Sequence, residues 1–99
     1  MEEKKVTVVA QIKVKEGMEE KVKQELIALL KPTRSEKGCI SYDLHQSVED
    51  KSRFMFYENW VSKQDLDKHL GMPHMKSHLA KAGEMFAAPP EITLWEKIS

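Results

Sequence analysis

The chain has 99 residues, 40% hydrophobic and 32% charged, with 16 basic residues balanced by 16 acidic ones. That length suits one core, so residues 1–99 read as a single domain, and zero net charge argues against a nucleic-acid partner held by phosphate attraction. A lone cysteine, Cys39, excludes an internal disulfide and a multi-thiolate metal site. No apolar run approaches the ~20 residues of a membrane span.

The amino-terminal run Met1-Glu2-Glu3-Lys4-Lys5 holds no apolar signal-peptide core, which makes the cytoplasm the expected compartment. Val6 to Val14 then alternates as a strand, with Val6, Val8, Ala10, Ile12 and Val14 on one face and Thr7, Val9, Gln11 and Lys13 on the other. Lys15-Glu16-Gly17 is a turn. From Met18 the apolar positions Val22, Leu26, Ile27, Leu29 and Leu30 recur at helical spacing, and Pro32 ends or kinks that helix. Thr33 to Gly38 reads as a polar connection.

Cys39 to Ser47 is the second strand, with Ile40, Tyr42 and Leu44 opposite Ser41, Asp43 and His45. A charged turn, Val48 to Ser52, leads into a third strand ending at Val61. Its faces are Phe54, Phe56, Glu58 and Trp60 on one side, Met55, Tyr57, Asn59 and Val61 on the other. Ser62 with Asp65 three residues on is a helix N-cap, and Leu66, His69 and Leu70 share one helix face up to Gly71. Pro73 opens another helix carrying Met75, His78, Leu79, Ala82, Met85 and Phe86. After a loop over Ala87 to Pro90, Glu91 to Ile98 is the last strand.

The order strand, helix, strand, strand, two helices, strand (βαββααβ) predicts an α+β ferredoxin-like sandwich. Helices cover one face of such a sheet. The other face retains apolar residues whichever way the strands turn, so a homodimer packed sheet to sheet is expected.

Glu58, flanked by Phe56 and Trp60 on an apolar face, needs a partner, because an isolated buried charge is costly. His69 lies on the apolar helix face that follows, and the sequence suggests the two as a pair titrating near neutrality. His74 and His78 have the i, i+4 spacing of two metal ligands. Met75 stands where a zinc-protease helix carries its glutamate, so no metal centre is expected. No phosphate-binding glycine loop or nucleophile elbow occurs, which leaves nucleotide cofactors and acyl transfer without support.

Gly38-Cys39-x-x-Tyr42-x-Leu44, Phe54-x-x-x-Glu58-x-Trp60 and His69-Leu70-x-x-Pro73-His74-Met75-Lys76 together resemble the antibiotic biosynthesis monooxygenase family over nearly the whole chain. The resemblance implies a dimeric α+β barrel that oxidises small quinols or anthrones with molecular oxygen, using no metal, flavin or haem. It places Trp60 and His45 where polyketide oxygenases have a pocket tryptophan and histidine, and Phe56 where they have a pocket asparagine. The three residues used by the haem-degrading branch fall on Ala10, His69 and Leu79, so haem chemistry is not expected. The autoinducer-processing branch shares Ser52-Arg53-Phe54, Tyr57-Glu58 and Pro73-His74, which keeps an isomerase-like activity, or a non-enzymatic dimeric binding module, as alternatives. For the oxygenase, the expected site has His69 with Glu58 as base. Trp60, Phe56 and Tyr42 are its walls and His74 lies near the mouth, with either Tyr42 or His45 turned inward.

Overall fold

The computed structural model describes residues 4–99; residues 1–3, at the head of the charged amino-terminal run, lie outside the described residues. The elements are β1 (Val6–Lys13), α1 (Glu19–Ile27), α2 (Leu30–Arg34), β2 (Cys39–Gln46), β3 (Arg53–Trp60), α3 (Lys63–Leu70), α4 (Pro73–Met85) and β4 (Glu91–Trp95). The strands form one four-stranded sheet in the order β2-β3-β1-β4, with every neighbouring pair antiparallel. This is the split βαβ topology of a ferredoxin-like α+β fold, as the element order predicts.

Strand alternation decides the core. Val8, Ala10, Ile12 and Val14, then Phe54, Phe56, Glu58 and Trp60, are buried on the helix side, with Tyr42 beside them on β2. Val22 and Leu26 of α1 are fully buried against this face. The other face is mixed: a ladder of hydrogen bonds joins Thr7, Asn59 and Ser41, next to exposed Tyr57 and Trp95.

The helix expected from Met18 to Leu30 is divided in two. Pro32 has no N–H to give the carbonyl of Ala28, and its ring would strike that carbonyl, so α1 ends with Ala28 as its C-cap. The chain restarts as α2 with Pro32 in its first turn, where a missing donor costs nothing. Thr33 and Arg34, expected in a connection, are thereby helical. The last strand stops at Trp95, short of the expected Ile98, which is exposed.

Two glycines answer to geometry. Gly17, in the turn out of β1, has φ +88, a backbone region that disfavours a side chain. A Cβ on Gly38 would collide with Cβ and Cγ of Asp65, so glycine lets the start of β2 pass the first turn of α3. That turn is capped as expected: Ser62 Oγ accepts from the Asp65 N–H at 3.2 Å.

Leu26→Ala should lower the free energy of unfolding by about 2–5 kcal/mol, since it opens a cavity at a fully buried position. Ile27→Ala, one residue along on the exposed flank, should cost under about 1 kcal/mol. Urea denaturation of both variants measures the contrast, and similar losses would contradict the assigned helix face.

Candidate functional site

Between the sheet and helices α3 and α4 lies a cavity of about 200 Å³. Val8, Ala10 and Ile12 of β1 form its floor with Phe56 and Glu58 of β3 and Tyr42 of β2, while Leu66, His69, Met75 and His78 close it from above. Ile92 and Leu94 of β4 line its open edge. The lining is apolar apart from a few side chains, the usual character of a small-molecule site.

Glu58 is the most consequential of these. It is 5% exposed, and its Oε1 accepts the indole N–H of Trp60 at 2.9 Å. Burial pushes its carboxyl up to about 7, opposed in part by the Trp60 hydrogen bond, with the negative charge of Glu36 adding the least. Among the described residues no buried side-chain N or O lacks a partner, so Oε2 of Glu58, which makes no hydrogen bond, keeps access to the cavity. The result is a carboxyl poised near neutral pH with one oxygen free for a ligand.

His69 is held from the opposite side. Its Nδ1 lies 2.7 Å from Oε2 of Glu36, its ring packs 4.6 Å from that of Trp60, and Tyr42 meets it edge-on at 5.5 Å. The same Glu36 oxygen lies 3.0 Å from Nε2 of His74, and Thr33 Oγ1 is 3.1 Å from that nitrogen. A carboxylate only accepts, so both imidazoles donate to it, which leaves the His69 lone pair on Nε2. Burial lowers the pKa of His69, outweighing the opposing pull of Glu36, and so favours the neutral ring. Burial likewise lowers that of His78, whose ring meets Phe86 edge-on at 5.7 Å.

Residues 5–81 match the sequence pattern of the antibiotic biosynthesis monooxygenases. Rv0793 of Mycobacterium tuberculosis, provisionally named a monooxygenase, is 34% identical over 90% of this chain and 87% of its own length. The chain belongs to the antibiotic biosynthesis monooxygenase family. The uncharacterised protein sll1783 of Synechocystis is also 34% identical, over 92% of this chain but 62% of its own length. Among solved structures, PA3566 from Pseudomonas aeruginosa superposes with a TM-score of 0.93 at 27% identity, covering 100% of this chain and 99% of that one. The Rv0793 structure gives 0.91 at 30% identity, over 96% of each chain.

In this member of the family, the residues expected to make the pocket are divided between three places. Glu58, His69, Tyr42 and Phe56 line the cavity. The expected pairing of Glu58 with His69 is corrected: Glu36 takes the His69 N–H, and Trp60 takes Glu58. Trp60 is not a wall, because it is fully buried behind His69 with its N–H turned to Glu58. His74 does not stand at the cavity mouth, because Glu36 and Thr33 draw its ring to the far side of His69. His45 pairs with Met55 and falls on the outer face, while Tyr42 pairs with Glu58 on the inner one, so strand register excludes His45.

Glu36 and Thr33 escaped the sequence reading. Glu36 sits in a polar run between α2 and β2 with no periodic or motif signal, and only tertiary folding brings its side chain to 7% exposure beside two histidines. Cys39 gains no catalytic role: burial, with nearby carboxylates adding to it, pushes its thiol up to about 11, far from a reactive thiolate.

The raised Glu58 carboxyl sets a pH dependence of stability. In the unfolded chain it ionises near 4.5 and in the fold near 7, so between these values the folded state holds the extra proton. Stability should therefore fall by about 3 kcal/mol as pH rises through that window and then level off. Glu58→Gln keeps an acceptor for Trp60 and should abolish this slope, making the variant more stable than the parent at pH 8 and nearly equal at pH 4.5. Urea unfolding across the range tests it; an unchanged slope would remove Glu58 as its source.

Proposed function

We propose that this protein is a cofactor-independent monooxygenase that oxidises a small hydroxy-aromatic, a quinol of one or two rings, with molecular oxygen. The observation that carries this reading is a pair of proton acceptors, Glu58 and His69, facing one apolar cavity from sheet and helix. The family supports oxygenase chemistry in general terms. Cavity size supports the substrate class: roughly 150 Å³ suffices for benzene, so about 200 Å³ favours one or two rings over a three-ring anthrone.

In the proposed reaction Glu58, ionised above about 7, removes a phenolic proton, and His69 Nε2 accepts the hydrogen bond of a second hydroxyl. The phenolate gives an electron to oxygen, and the radical pair combines on a ring carbon within the apolar cavity. One oxygen atom stays on the ring as a hydroxyquinone and the other leaves as water, with all four electrons supplied by the quinol. Tyr42 and Phe56, stacked at 4.8 Å, would hold the aromatic plane. A sugar, as in the autoinducer-processing branch, would leave most of its hydroxyls unpaired against Val8, Ala10, Ile12 and Leu66.

Oxygen uptake with a dihydroxynaphthalene is the test. Activity should rise with pH through about 7 as the base ionises, fall at least ~100-fold in Glu58→Gln, and vanish without oxygen. Turnover that persists anaerobically would replace the oxygenase with an isomerase, and binding without turnover would replace it with a ligand-binding module.

The proposal includes a homodimer formed through the outer sheet face, where Tyr57 and Trp95 are 43% and 58% exposed. Light scattering at micromolar concentration should give twice the chain mass, and Tyr57→Glu should shift it toward the monomer. A monomeric parent would remove sheet-to-sheet packing from the proposal.

A further inference from the structure

Behind His69, away from the cavity, lies a cluster that the proposed reaction does not consume. His69 Nδ1, His74 Nε2 and a carboxylate oxygen of Glu36 all lie within 4.8 Å of one another. The Glu36 and His69 side chains are 7% and 2% exposed, while His74, at 20%, leaves a route from solvent. Two imidazoles and one carboxylate are the donor set of three-ligand zinc sites, which keep a fourth position for water. Nitrogen donors disfavour calcium and magnesium, which prefer all-oxygen shells.

We propose that Glu36, His69 and His74 form a site for one divalent transition-metal ion of the zinc class. The distances are compatible with it. Ligand bonds of roughly 2.0–2.2 Å put neighbouring donors about 3.0–3.5 Å apart. Glu36 Oε2 already stands 2.7 Å from His69 Nδ1 and 3.0 Å from His74 Nε2, and the two imidazole nitrogens lie within 4.8 Å of each other, so side-chain adjustment alone brings the three donors around one ion. Thr33 Oγ1, 3.1 Å from His74 Nε2, is positioned to bind a water in the fourth place.

Binding changes what His69 offers the cavity. The ion takes the lone pairs at His69 Nδ1 and His74 Nε2, so both protons now shared with Glu36 must leave those nitrogens. His69 then carries its proton on Nε2 and turns from acceptor to donor toward the cavity. Glu36 and His74 do not line that cavity, so the ion acts through the His69 ring rather than by touching a ligand there. The site goes beyond the oxygenase reading and stands or falls independently of it.

The experiment uses the full chain, freed of metal with a chelator, titrated with Co²⁺ by visible absorption and with Zn²⁺ by calorimetry in two buffers of different ionisation enthalpy. One ion per chain is expected, with no net proton release from His69, whose proton moves to Nε2, and with a four- or five-coordinate cobalt spectrum. Imidazole nitrogen NMR should show the His69 proton on Nε2 in the zinc form. Glu36→Gln and His74→Ala should each weaken binding by more than about 10-fold, the lower limit even for an outer-shell partner. His45→Ala, on the outer face, should leave it unchanged. His74 is partly exposed, so His74→Ala gives a folded test even if Glu36→Gln does not, with circular dichroism as the check. No saturable binding at pH 8, binding retained in folded His74→Ala, or equal loss in His45→Ala would each overturn the site.

Discussion

The hydrogen bond between Glu36 and His69 is the interaction on which the site depends. It joins the turn after α2 to the last turn of α3, two segments 33 residues apart, at 2.7 Å inside the protein. Without it His69 would be a buried imidazole free to choose its tautomer. With it the ring is fixed, its N–H is committed to Glu36, and its remaining lone pair is left for the cavity. Trp60 and Tyr42 complete the constraint by packing against the ring. Because one Glu36 oxygen also serves His74, the orientation of His69 is tied to the start of α4 as well.

Glu58 stands in the opposite condition. Its one protein partner is an uncharged indole, so the carboxyl is neither neutralised nor exposed, and burial keeps its proton on up to about 7. The two carboxylates thus have different work. Glu36 is surrounded by donors and orients its neighbours; Glu58 is left with a free oxygen at the edge of an apolar space. A buried carboxyl of the second kind weakens the fold wherever it is ionised, so stability does not account for its presence.

The two groups meet because the fold brings a strand and a helix together over one cavity. Tyr42, Phe56 and Glu58 rise from the sheet, and Leu66, His69 and Met75 descend from the helices. The space opens toward β4, where Ile92 and Leu94 line it and stay 54% and 45% exposed. Shape therefore comes from the fold, and chemistry from two or three polar residues placed on it.

Alternation and helical period are properties of consecutive residues, and they were sufficient for much of this protein. The order of elements, the inward set Phe54, Phe56, Glu58 and Trp60, the Ser62 cap and the apolar face bearing His69 could all be read directly. Which partner each polar residue found could not. Glu58 with His69 is the natural pairing along the chain, yet Trp60, two residues on along the same face of β3, takes Glu58. Glu36, carrying no pattern of its own, reaches His69 from 33 residues earlier in the chain. Register likewise decided that Tyr42 faces inward and His45 outward, because pairing with β3 fixes the face of every β2 residue at once. Local sequence determines which face of an element is apolar, since that follows from backbone period. Hydrogen-bond partners across 33 or more residues depend on how elements dock, and only the tertiary structure decided those.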